Sequence, residues 1–452
     1  MLEPDKNPNS SWMVDPPALV RRAMRHIVAR VIDPAQRQKR RDKAEATRQK
    51  TGAPHEVHYF HQLDDPYCAL TAQVLARFAE RYDIGLKPHL VRAAGGADQP
   101  YLDKLAVWSH RDVALIAPHY GLTFPASAPV TPDPALQMKA AQRLAGVSDA
   151  DFIAQVGEVT AALWAQDEAA LSAGDAVSDA EAGAALENGA ALLKDMNHYS
   201  GGTFFYGGEW YWGVDRLFYL EQRLRDLGAC RAPNDPYLVP RPDINVSGVD
   251  ASKLTLDFYP SLNSPYTSII FDRTIDMATE CGIQLNHNPV LPMIMRGVPA
   301  TRAKGQYIMF DTKREGEFLG VPFGPVWTPI GTPVRNVYSL LPWAKEQGKD
   351  IALLSATLKC SFSGDTPLHQ ARGLRKAIEM AGLDWTEAQQ HLGDPAWKAM
   401  VEQHQDDMVD GLGLWGVPSF KLSGPDGEPD VAVWGQDRLW VIAAEIRRRA
   451  GT

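Results

Sequence analysis

Two stretches far apart in the chain are written to the same plan. One runs Tyr59-Phe60-His61-Gln62-Leu63-Asp64-Asp65-Pro66-Tyr67-Cys68, the other Phe258-Tyr259-Pro260-Ser261-Leu262-Asn263-Ser264-Pro265-Tyr266-Thr267. In each, an apolar strand meets an X-Pro-Tyr-X turn and an apolar helix follows. Proline has no N–H to donate and its φ is already helical, so both helices are expected to begin at the proline. A second pair of matching segments lies downstream: Trp212-Gly213-Val214-Asp215-Arg216-Leu217 and Trp434-Gly435-Gln436-Asp437-Arg438-Leu439. Both matches keep their order within their halves, which is what a tandem duplication leaves behind. The copies differ where chemistry would sit, with Asp65 in one and Ser264 in the other.

A chain of 452 residues exceeds what a single core usually serves, so two domains with accessory segments are expected. A net charge of −9 argues against general nucleic-acid binding, which wants a basic surface. No secretory leader is read at the start and no apolar run is long enough to span a bilayer. The four cysteines, Cys68, Cys230, Cys281 and Cys360, form no C-x-x-C pair. That pattern fits reduced thiols and a cytoplasmic location.

Residues 1–54 read as a basic helical extension. Asp15-Pro16-Pro17 offers an acidic cap and early prolines. Leu19, Val20, Met24, Ile27, Val28, Val31 and Ile32 follow at helical spacing, with arginines opposite. Two readings stand: a helix lying on a membrane surface, or one packed on the body of its own protein. Residues 55–228 form the first domain. Strands are expected at 56–60 and 87–91, a helix at 66–82, a helical insertion over 100–195, and a hairpin around Gly207-Gly208. Residues 229–250, rich in Pro, Asn and Asp, read as a linker. Residues 251–452 repeat the plan: strands at 254–259 and 284–290, a helix at 265–281, helices filling 301–412, and a closing hairpin around 424–427.

Ser264 would cap the second helix, its hydroxyl beside unpaired N–H groups and the positive end of the helix dipole. Such a place serves a plain cap and also suits a bound thiolate. Val417-Pro418 before a strand reads either as a proline at a sheet edge or as a cis bond that frees the Val417 backbone to pair with an extended ligand. His58, His61, Asp64 and Asp65 make a poor metal set, because strand alternation sends the two histidines to opposite faces.

Ser264-Pro265-Tyr266-Thr267, Gly416-Val417-Pro418-Ser419-Phe420 and Trp434-Gly435-Gln436-Asp437-Arg438-Leu439 together resemble 2-hydroxychromene-2-carboxylate isomerases and kappa-class glutathione transferases, of the DsbA-like thioredoxin branch. Lys304-Gly305-Gln306-Tyr307-Ile308-Met309-Phe310-Asp311 and Gly320-Val321-Pro322-Phe323 also resemble that family. The resemblance covers 251–450 and recurs more faintly over 55–228. It implies an α/β fold of two tandem thioredoxin-like (DsbA-like) domains, each with a helical insertion. It further implies glutathione as cofactor, with Ser264 catalytic and holding the sulfur as thiolate. Val417 and Pro418 would pair with the glutathione backbone, and Gln436 and Asp437 would hold its γ-glutamyl end. The implied partner is a small conjugated electrophile, isomerised or conjugated by the thiolate. A fused pair implies an intramolecular pseudo-dimer of the two domains, with further homo-oligomerisation open.

The family's Gly-Asn pair after the second strand is replaced by Met295-Arg296-Gly297-Val298-Pro299, where Arg296 would offer a carboxylate contact instead. The first copy has lost more. Asp65 would repel a thiolate, Gly202 stands where the cis-proline would be, and Val214 stands where Gln436 is. Cys68 has no partner cysteine and reads as a small buried apolar residue. The alternatives are a non-catalytic scaffold that binds peptides along the cis-proline edge and, further off, a thiol–disulfide oxidoreductase.

Overall fold

A computed structural model describes residues 7–125 and 127–451. The chain divides into two compact units. One comprises Arg37–Pro242; the other takes residues from Asp243 onward together with the N-terminal residues through Gln36.

In the first unit, strands β1 (His55–Gln62), β2 (Ile84–Val91), β3 (Thr203–Tyr206) and β4 (Glu209–Trp212) form a sheet in the order β2-β1-β3-β4. β1 is parallel to β2 and antiparallel to β3, and β3 is antiparallel to β4. A parallel neighbour needs a crossover, supplied by the helix Pro66–Arg81, which starts at its proline. Helices Leu102–Ile116, Pro134–Ala145, Asp149–Trp164 and Asp179–Asp195 intervene before β3. The hairpin turns at Gly207-Gly208, both at positive φ, and the helix Gly213–Asp226 closes the unit.

In the second unit, β5 (Thr255–Tyr259), β6 (Gln284–His287), β7 (Ser419–Ser423) and β8 (Val431–Trp434) are ordered β6-β5-β7-β8 with the same senses. The crossover helix is Pro265–Cys281, and helices from Arg302–Leu319 to Trp397–Asp406 intervene. β5 is shorter than β1 because Pro260 stands where β1 continues with His61, and proline adds no donor to a ladder. β6 stops at His287, short of the expected residue 290, although Asn288 and Val290 still donate to the carbonyls of Phe258 and Pro260. Pro289 between them cannot.

One aromatic pair marks each sheet centre. Tyr59 and Phe204 face each other across β1 and β3, and Phe258 and Phe420 across β5 and β7, each pair with ring centroids 5.0 Å apart. All four residues are fully or almost fully buried.

The basic extension begins differently from what its local composition predicts. Asp15 makes no cap for the helix Ala18–Val31, whose first turn has no side-chain cap. Its carboxylate accepts from the backbone N–H (3.0 Å) and hydroxyl of Thr332, so it serves the N-terminus of the helix Thr332–Ser339. The donor-rich end it satisfies lies far along the sequence rather than next to it.

Candidate active site

Ser264 caps the helix Pro265–Cys281. Its Oγ accepts from the Thr267 N–H (3.1 Å) and donates to the Val417 carbonyl (3.3 Å). The Val417-Pro418 bond is cis. The Pro418 carbonyl accepts from the Gly435 N–H (2.9 Å), which places the Gln436–Arg438 turn directly after it. Ser264, Val417 and Pro418 are therefore linked in series to the turn that carries Gln436 and Asp437. Ser264, Val417 and Gln436 are all buried, and the Asp437 side chain keeps about a quarter of its surface.

Three interactions that the sequence did not suggest fix this arrangement. Gln436 Nε2 donates to Glu315 Oε2 (2.9 Å), a carboxylate with no exposed surface. Tyr266, in the turn itself, donates to the buried Asp311 (2.9 Å), which also holds Arg314 at 2.6 Å. Thr328 Oγ1 donates to Asn263 Oδ1 (2.8 Å), one residue before Ser264. Arg296 is not available as an outward carboxylate contact. It is buried and donates to the carbonyls of Leu291 (2.8 Å) and Trp415 (2.7 Å), pinning the segment that leads to Val417. Gly416 is demanded locally: a Cβ there would lie 1.8 Å from the indole of Trp434.

The other turn has the same frame and different chemistry. Asp65 caps the helix Pro66–Arg81 by accepting from the Tyr67 N–H (2.9 Å). Burial, with a further push from Asp64, raises its carboxyl to about 7. The Cys68 thiol lies 3.6 Å from Asp65 Oδ2 and accepts from the Gln62 N–H at 3.2 Å. Burial drives that thiol far above its ordinary range, so it is a poor nucleophile. Gly202, at φ +66°, takes the proline's place, and its carbonyl accepts from Gly213 (2.6 Å) as that of Pro418 does from Gly435. Tyr67 donates to the buried Asp112 at 2.6 Å, the same 45-residue step that separates Tyr266 from Asp311.

His61 is buried between the Tyr59 hydroxyl (2.9 Å) and Thr160 (3.2 Å), and desolvation pushes it down to about 3, so it is neutral. Among the described residues, no three His, Cys, Asp or Glu side chains are grouped to hold a metal ion. No helix among them is long and apolar enough to cross a membrane.

Residues 255–447 match the DSBA-like thioredoxin domain, and this part of the chain is such a domain. Solved structures similar to part of the chain include 2-hydroxychromene-2-carboxylate isomerase, at 16% identity over 43% of this chain and 95% of that one, TM-score 0.36. They also include a "probable DsbA oxidoreductase" from Streptomyces coelicolor, at 19% identity over 44% and 90%, TM-score 0.34. A third is the cytosolic disulfide reductase DsbM from Pseudomonas aeruginosa, at 16% identity over 43% and 98%, TM-score 0.32. No curated protein sequence matches the chain.

Proposed function

We propose that the 255–447 domain is a glutathione-dependent isomerase or transferase acting on a small conjugated electrophile, with Ser264 beside the thiolate. The observation that carries this reading is the Ser264 hydroxyl, set at a helix N-terminus against the cis Val417-Pro418 bond. The residues present fit the cofactor. The Ser264–Val417 bond is long at 3.3 Å, so the hydroxyl can exchange it for a sulfur at little cost. The first turn of a 17-residue helix favours negative charge there. The Val417-Pro418 edge would take the peptide backbone of glutathione. Asp437 would accept from its ammonium, and Gln436 is held ready at the same turn. When bound, glutathione supplies a thiol that adds reversibly to a conjugated carbonyl and permits rotation about the former double bond.

Thiol–disulfide exchange is disfavoured because Cys281 and Cys360 are buried, with both thiols pushed up by burial, and Cys281 lies at the far end of the capped helix. All four cysteines are free thiols, which supports a reducing compartment such as the cytoplasm. The shared strand order, the matched aromatic pairs and the two Tyr–Asp steps support reading the first unit as a copy, and Asp65, Gly202 and Val214 in place of Ser264, Pro418 and Gln436 support reading that copy as degenerate and non-catalytic.

One observation favours a second reading, a peptide-binding scaffold without catalysis: the Gln436 amide and the Arg296 guanidinium both make bonds inside the protein. Titration calorimetry with glutathione separates the two. The proposal expects binding by the wild type and, within about tenfold, by Ser264→Ala. No heat at roughly millimolar glutathione would leave the scaffold reading standing.

A further inference from the structure

The helix Ala18–Val31 is used on one face only. Inward, Arg21 is 2% exposed and donates to the carbonyls of Thr328 and Ile330, each at 2.7 Å, and to Asp15 at 2.6 Å. Arg25 pairs with Asp365, and Ile32 just past the helix is buried, its side chain within reach of Gly324. Outward, Leu19 is 80% and Ile27 63% exposed, with Met24 also exposed. Trp12, on the short helix before it, is 64% exposed. Arg22 and Arg30 are exposed on the same outward side, since 19, 22, 23, 26, 27 and 30 recur at helical spacing.

The charge around this face is lopsided. No Asp or Glu occurs from Pro16 through Ile32. Between Ala18 and Gln36 there are four Arg and no Lys against one Asp, so +3 sits there and −12 on the rest of the chain. A solvated face normally mixes signs and omits large apolar groups. Leucine, isoleucine and tryptophan among arginines, with no acidic residue, match an anionic lipid surface: the side chains enter the headgroup boundary and the guanidinium groups meet phosphate.

We propose that the outward face of the Ala18–Val31 helix, with Trp12, docks the protein peripherally on an anionic bilayer. The inward face is already committed to the thioredoxin domain through Arg21, so docking uses side chains that packing leaves free. The inference is independent of the glutathione reading.

The test is co-sedimentation of the full chain with phosphatidylcholine vesicles, with and without phosphatidylglycerol. Binding is expected only with phosphatidylglycerol and should be released by high salt. Arg22→Gln and Arg30→Gln should each weaken partitioning about fivefold. Leu19→Ser with Ile27→Ser should weaken it by at least about tenfold. These positions are exposed, so circular dichroism and the melting temperature should be unchanged. Failure to bind phosphatidylglycerol vesicles, or binding indifferent to all these variants, would overturn the proposal. So would a concentration-dependent dimer dissolved by the Leu19 and Ile27 changes, because the face would then belong to a second copy.

Discussion

At the turn after β1 a carboxylate caps the helix, with a thiol one turn on; at the turn after β5 a hydroxyl caps it, with a threonine in the thiol's place. Even the supporting bond repeats: Cys68 Sγ accepts from the Gln62 N–H, and Thr267 Oγ1 from the Ser261 N–H at 3.5 Å. What the two halves share is framework: the aromatic pair, the Tyr–Asp bond, and the glycine N–H that ties β4 or β8 to the residue ahead of β3 or β7. What differs is polarity. Stepping four residues on from Asp112 and Asp311 gives Ile116 and Glu315, and the residues after Gly213 and Gly435 are Val214 and Gln436. One half buries two apolar side chains where the other buries a hydrogen-bonded amide and carboxylate. Buried polar pairs cost desolvation and are rarely kept without a use. The comparison therefore supports the proposal that the candidate site lies in the second half.

The largest effect expected concerns Gly416. The matching position in the first half is Ser200, beside the matching Trp212, so the frame can hold a Cβ next to a tryptophan; in the second half the Trp434 indole occupies the place that Cβ would take. Gly416→Ala should cost about 3 kcal/mol or more in urea unfolding. A loss under ~1 kcal/mol would show that Trp434 can move aside.

The polar pair comes next. Gln436→Val removes a partner from the buried Glu315 and should cost about 2 kcal/mol. Adding Glu315→Ile, which recreates the first half's residues, should recover part of that loss. A double-mutant cycle should report a coupling of roughly 1–2 kcal/mol, and additive losses would deny the pairing.

Asp65 supplies a pH test confined to the first half. Its carboxyl titrates near 7 when folded, against the ordinary 3.8. As pH rises from about 4 to about 7 the unfolded chain releases this proton while the folded one keeps it, so wild-type stability falls across that window. Asp65→Asn retains a capping oxygen and removes the titration. The variant's advantage should grow by about 1–2 kcal/mol between pH 4 and pH 7 and stay level above it, as read by denaturant midpoints. Ser264 variants should show no such slope.

The smallest effect tests what is shared. Tyr67→Phe and Tyr266→Phe should each cost about 1 kcal/mol, because each removes one donor from a buried aspartate. Unequal losses would argue against equivalent frames.

Local chemistry was legible in the sequence: both proline-started helices, the Ser264 cap and the hairpins follow from neighbouring residues, whereas Val417-Pro418 admits two local readings and is cis. Bonds between distant segments were not. The Tyr–Asp step escaped because the aspartates lie in insertions with little common sequence, Trp108-Ser109-His110-Arg111-Asp112 against Tyr307-Ile308-Met309-Phe310-Asp311. Asp15 was read as a local cap because local composition cannot reveal a helix end more than three hundred residues away. Arg296 reads locally as a ligand contact, but its guanidinium donates to the carbonyls of Leu291 and Trp415, neither of which its neighbours reveal.

The central claim is that Ser264, and not Asp65, sits where a thiolate is stabilised. The direct measurement is the ultraviolet absorbance of the glutathione thiolate against pH in complex with the wild type, with Ser264→Ala and with Asp65→Asn. The account predicts a thiol pKa at least about one unit below that of free glutathione for the wild type and Asp65→Asn. For Ser264→Ala it predicts a return to the free value with binding retained. A bound thiol that titrates like free glutathione in the wild type, or a shift that survives Ser264→Ala, would contradict it.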